Sequence, residues 1–161
     1  MKRPEKNEYA SFYETYVSLV NETDVISAMN QQLTEIENLF SQMTDEKGLY
    51  AYADGKWTIK ELLGHLIDGE RVFAYRAFRI SRGDATPLAG FDQDPYVENG
   101  NFNATNLSDL LDEFVSLRKS NILMFNNLLS NAWDFVGTAS ENKITTRALA
   151  YIMVGHIRHH V

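Results

Sequence analysis

The sequence contains no cysteine. Disulfides are thereby excluded, and so are the cysteine-ligated zinc sites typical of structural metal. The absence fits a reducing cytoplasm, the compartment expected for this chain. It also means that any thiol chemistry must take its sulfur from a co-substrate. Long apolar runs are missing as well: nothing approaches the roughly 20 residues of a membrane span. The opening Met1-Lys-Arg-Pro-Glu-Lys-Asn7 leads into no apolar signal core. Positive charge is scarce, with 15 Lys and Arg against 22 Asp and Glu and a net charge of −7. That balance argues against nucleic acid or an anionic membrane as partner. The His-Glu-x-x-His motif of zinc proteases is also missing, because Ile157 follows His156 and the general base is gone. There is no internal repeat and no low-complexity segment.

What is present is 161 residues, 44% apolar and 23% charged, the profile of one globular domain spanning 1–161. Histidine is rare but placed non-randomly. Three of the four histidines lie in the last stretch, Tyr151 to Val161, and the fourth is His65. On a helix His156 and His160 are one turn apart on one face, among Leu149, Ile152, Met153 and Ile157. Two imidazoles so spaced can share a metal ion, and a third from another helix would complete a facial triad. His159 projects at a different angle.

In chain order, residues 1–23 read as an extended lead and a short helix, with Tyr9, Phe12, Tyr13 and Tyr16 laid across something larger. A first long helix is expected from the N-cap Asp24 to about Met43, with Val25, Met29, Leu33, Ile36 and Phe40 stepping by threes and fours. A second starts at the capping box Thr58-x-x-Glu61, with Trp57 and Leu62 as staple, and runs to about Arg82. Leu62, Leu66, Phe73, Ala77 and Ile80 form its core stripe. His65 sits at the stripe's edge with Asp68, Gly69 and Arg76 beside it. Glu70 falls inside the apolar arc, where a carboxylate needs a partner. Arg118 is the natural one, and a role near a metal is the alternative. Residues 83–105 break every periodicity and read as an aromatic-bearing lid. A third helix is expected from Asn106 or Ser108 to about Leu129, faced by Leu110, Leu111, Phe114, Leu117, Ile122, Phe125 and Leu128. After an irregular connection over 131–142, with a short extended piece, Thr145 or Thr146 caps a fourth. The fold class is all-α, a four-helix bundle with its lid between helices 2 and 3.

The segments Lys56-Trp-Thr-Ile-Lys-Glu-Leu-Leu-Gly-His65-Leu-Ile-Asp68-Gly-Glu70-Arg71, Phe91-Asp-Gln-Asp-Pro-Tyr-Val-Glu98, Leu110-Leu-Asp-Glu-Phe-Val-Ser-Leu-Arg118 and His156-x-x-x-His160 resemble the DinB/YfiT-like superfamily in order and spacing. The resemblance covers about residues 24–161. It implies a bundle with a divalent metal, zinc or nickel, at one end. The implied ligands are His65, His156 and His160, with water in the remaining positions and His159 a bystander. It also implies a homodimer acting on a small-molecule substrate. Assigned activities among such proteins include bacillithiol S-transferases, mycothiol-dependent isomerases and metal-dependent hydrolases. Such chains usually continue a turn or more past the last histidine, whereas this one stops at Val161, so His160 is expected to be held loosely or buttressed from elsewhere. The expected function is activation of a low-molecular-weight thiol, or of water, with Asp68, Asp92 and Asp94 as candidates to orient substrate or histidine protons. The alternatives are a non-catalytic metal-binding bundle in dimerisation or stress response, and a small-molecule binding module.

Overall fold

A computed structural model describes residues 2–161. Four long helices build the bundle: α2 (Val25–Phe40), α3 (Ile59–Ser81), α5 (Leu107–Asn126) and α6 (Thr146–His160). A short α1 (Glu14–Val17) and α4 (Gln93–Gly100) join them, with an antiparallel hairpin of β1 (Val136–Ala139) and β2 (Asn142–Thr145).

The helix starts are where side-chain oxygens can meet orphan backbone N–H groups. Asp24 accepts from Ile26 and Ser27. Thr58 accepts from the Glu61 amide at 3.1 Å, while Glu61 accepts from the Thr58 amide at 2.8 Å, the reciprocal capping box. Thr145 caps α6 through the Ala148 amide at 3.0 Å. The start of α5 is served from a distance: Asp45 accepts from the Leu107 amide with one oxygen and from Lys60 with the other, each at 2.8 Å. Asp45 thereby ties the first turns of α3 and α5 together.

Every residue of α6 from Thr146 to Ile157 is buried, since α1, α2 and α3 all pack on it. A helix apolar on all sides belongs at such a centre. Gly155 makes the crossing with α1 possible, because a Cβ there would collide with the Tyr16 carbonyl. The expected apolar positions of α2 are all buried. In α3 the stripe holds for Leu66, Phe73, Ala77 and Ile80, while Leu62 is only half-buried and its neighbour Leu63 takes the core position.

Glu70 is buried and bound to Arg118 Nη2 at 2.9 Å and to Asn121 Nδ2 at 2.8 Å. Arg118 also donates to Gln32 at 3.1 Å, and Gln32 donates to the Val154 carbonyl at 3.0 Å. One buried polar chain thus links all four long helices. The alternative role for Glu70 near a metal is not what the structure has; its carboxylate is committed to the bundle.

The stretch 83–105 is less irregular than its sequence suggests. It contains α4, capped by Asp92. Leu88 is zipped to the hairpin, with its amide on the Thr138 carbonyl at 2.9 Å and its carbonyl accepting from Ser140 at 3.0 Å. The two-residue turn of that hairpin, Ser140-Glu141, has φ of 50° and 63°, both left-handed as a type I′ turn demands. Without glycine such a conformation costs about 1–2 kcal/mol per residue. The N-terminal segment is pinned along α6 at both ends: Glu8 bonds Thr145 and Arg147, and Glu22 bonds Arg158.

Candidate metal centre

The last two turns of α6 and the second turn of α3 bring His65, His156 and His160 to one point. Nε2 of His65 lies 2.9 Å from Nε2 of His156 and 3.2 Å from Nε2 of His160. The three ligand atoms all fall within 4.8 Å of one another. His65 and His156 are buried and His160 is half-buried. Gly69, one turn past His65 on α3, makes the room for His156. The aromatic residues Trp57, Tyr16 and Phe73 frame the cluster, with ring centroids 4.9 Å from His65 and 5.3 and 5.5 Å from His156 respectively.

Burial strips hydration from these imidazoles and holds all three on the neutral side. His65 is brought down to about 4, by burial first and then by His160. His156 is driven well below the ordinary value by burial and by the neighbouring rings, and His160 is lowered by burial and by His159. Neutral imidazole is the form that ligates metal.

The donor set fits a divalent cation. At Nε2 a neutral ring offers either one proton or one lone pair, so His65 can satisfy only one of its two neighbours. Three lone pairs around a cation remove that conflict. Metal–nitrogen distances of 2.0–2.1 Å put two tetrahedral ligand nitrogens roughly 3.3 Å apart, within a few tenths of the two separations that His65 makes with His156 and His160. Three imidazoles could therefore hold a metal ion, and the ligand type suits zinc, nickel, iron and copper alike.

Two cavities flank the cluster. One, of about 600 Å³, reaches His65 and His156; its walls include Phe12, Tyr13, Tyr16 and Phe73. The other, of about 740 Å³, reaches His160 and is lined by Tyr52, Lys56, Trp57 and Leu62. Asp94 borders both, and Asp92 the first. Asp92 and Asp94 thus border the cavities, both of them exposed. No hydrogen bond joins any of the three histidines to a carboxylate among the described residues, so Asp68, Asp92 and Asp94 do not hold the rings; Asp68 instead lines a separate surface pocket with Pro95 and Tyr96. His159 is exposed and outside the cluster. Sequence reasoning missed Arg76, Tyr13 and Ser140 as cavity residues. The signal available was an arginine noted beside the His65 stripe.

Solved structures that share this architecture include two with described activities. One is YfiT from Bacillus subtilis, described as "a probable metal-dependent hydrolase with an unusual four-helix bundle topology". It is 18% identical, with a TM-score of 0.77 over 98% of this chain and 87% of that one. The other is the mycothiol-dependent maleylpyruvate isomerase, 10% identical, with a TM-score of 0.69 over 89% of this chain. The present chain spans 61% of that protein. At these identities the likeness is one of fold. No curated protein matches the sequence. The sequence profile of the DinB superfamily matches residues 28–161, which takes in all four long helices except the first turn of α2 and includes all three clustered histidines. The chain belongs to the DinB superfamily.

Proposed function

We propose that His65, His156 and His160 hold one divalent cation, zinc or nickel, and that the protein is an enzyme transferring a low-molecular-weight thiol to an electrophilic small molecule. The observation that carries this reading is the convergence of three neutral imidazoles between two separate cavities. A cation in such a site supplies Lewis acidity that lowers the pKa of a thiol or a water into the neutral range. The chain's own contribution is to hold three lone pairs in place, to surround them with Trp57, Tyr16 and Phe73 so that water is restricted, and to seat two reactants on either side.

Thiol transfer is favoured over hydrolysis for two reasons. A thiol needs less activation, its ordinary pKa being about 8.5 against about 15.7 for water. Hydrolysis also calls for a general base, and no carboxylate is hydrogen-bonded to the cluster among the described residues. A second cavity gives a co-substrate its own place, which a hydrolase does not need.

The test is conjugation of a model electrophile, 1-chloro-2,4-dinitrobenzene, by metal-loaded protein with bacillithiol, glutathione, cysteine or no thiol. The expected result is thiol-dependent turnover that His65→Ala abolishes. Turnover of esters or amides without thiol would replace transfer with hydrolysis. Inactivity throughout, with metal bound, would favour a non-catalytic bundle.

A further inference from the structure

Four Lys or Arg side chains are buried among the described residues: Lys60, Arg76, Arg118 and Arg147. Three of them have a carboxylate. Lys60 pairs with Asp45, Arg118 with Glu70, and Arg147 with both Glu8 and Asp134. Arg76, only 2% exposed, has neutral partners instead: the Tyr13 hydroxyl at 3.3 Å, the Ala89 carbonyl at 2.7 Å and the Ser140 hydroxyl at 3.0 Å. A guanidinium withdrawn from water with no counter-charge is costly, and the cost is offset when an anion arrives.

The position of Arg76 says where that anion would sit. It lines the same 600 Å³ cavity that reaches His65 and His156. Eleven residues of helix separate it from His65, about 16 Å of axial rise, and side chains on a helix lean toward its N-terminus, here toward the histidines. The cavity therefore has a cationic end and a histidine end, with aromatic walls between them.

Donors at the cationic end are in surplus. A guanidinium has five N–H groups, and three are engaged. The Tyr13 and Ser140 hydroxyls each accept from Arg76, and neither donates to any group among the described residues. Burial pushes the Tyr13 phenol up, against the pull of the Arg76 charge, so its proton stays available. Ser140 is brought there by the glycine-free left-handed turn of the hairpin, a strained device of the kind found where a side chain must be aimed. The rim carries Asp92 and Asp94, which favours one negative charge on a ligand over several.

We propose that this cavity takes a substrate with an apolar or aromatic body and a single carboxylate, the carboxylate bound by Arg76, Tyr13 and Ser140 and the reacting carbon placed at the histidine end. The orientation rests on the reading of the histidine cluster as reaction centre, whereas the anion subsite does not.

The experiment is calorimetric titration of 3-phenylpropionate and its neutral isostere 3-phenylpropionamide into wild-type, Arg76→Gln, Arg76→Lys, Tyr13→Phe, Ser140→Ala and His65→Ala proteins. Wild type should prefer the carboxylate by at least about tenfold, as a charge-assisted contact implies. His65→Ala should keep that preference and Arg76→Gln should lose it, with Arg76→Lys retaining part. Tyr13→Phe and Ser140→Ala leave the cation in place and should each weaken the carboxylate alone, which covers the case that Arg76→Gln does not fold. Equal affinity of the two probes for wild type, or binding of neither, overturns the proposal. So does a preference that survives Arg76→Gln or disappears in His65→Ala, since the anion would then sit at the histidines. A carboxylate preference in a protein that binds no metal would uphold the subsite while removing the catalytic reading.

Discussion

Gly69 faces His156 so closely that a methyl group added at the glycine would lie 2.8 Å from the imidazole Cε1. The absence of a side chain on α3 is thus what lets the α6 histidine reach Nε2 of His65. Gly69→Ala should displace the ring by a few tenths of an ångström or more and lower metal affinity at least tenfold. The helix itself should gain from the substitution, because alanine is the better helix former by roughly 1 kcal/mol. Metal titration beside thermal unfolding checks both halves; affinity equal to wild type would mean that the ring has space to spare.

The buried ion pair of Glu70 and Arg118, with side chains 2% and 1% exposed, predicts a large stability effect with no direct effect on the histidines. Glu70→Ala leaves a guanidinium buried without its partner, which costs on the order of 3–5 kcal/mol. Replacing the pair together with apolar residues of similar volume should cost much less. Urea unfolding of the single and paired variants measures it, and a single-variant loss below about 1 kcal/mol would contradict the structural role.

Tyr9 fixes the N-terminal segment that carries Tyr13 and Tyr16 to the cavity. Burial first, and then its hydrogen bond to Glu14 at 2.8 Å, raises its phenol to about 12. A folded pKa above the unfolded value of about 10 means that the native state binds more protons between the two. Stability is therefore fully present below pH 10 and falls as pH rises toward 12. Tyr13, Tyr16 and Tyr151 are shifted the same way, each chiefly by burial. Tyr9→Phe should make the alkaline decline shallower. An unchanged slope would mean that Tyr9 is not held as described.

The parts of this fold that could be read from sequence are those governed by local chemistry. Asp24, the Thr58–Glu61 box and Thr145 mark helix starts because a side-chain oxygen three residues from an orphan amide needs no tertiary help. The i, i+4 spacing of His156 and His160 and the place of Glu70 in an apolar arc follow from helical geometry alone. Contacts set by tertiary packing were hidden. The turn at Ser140-Glu141 lacks the Asn-Gly signature of its type and is held by the bridge to Leu88. The helix over Gln93–Gly100 has too weak a periodicity to announce itself. Arg76 could be placed beside the histidine stripe, but Tyr13, Ala89 and Ser140 reach it from three distant segments, so its lack of a carboxylate was invisible.

A single divalent ion shared by His65, His156 and His160 is tested most directly by metal stoichiometry. Elemental analysis of wild-type protein, of His65→Ala, His156→Ala and His160→Ala, and of His159→Ala should give one divalent ion per chain in wild type. Each of the first three variants should lose it, and His159→Ala should retain it, because that residue lies outside the cluster. Metal lost equally in His159→Ala, or retained in His65→Ala, would contradict the assignment.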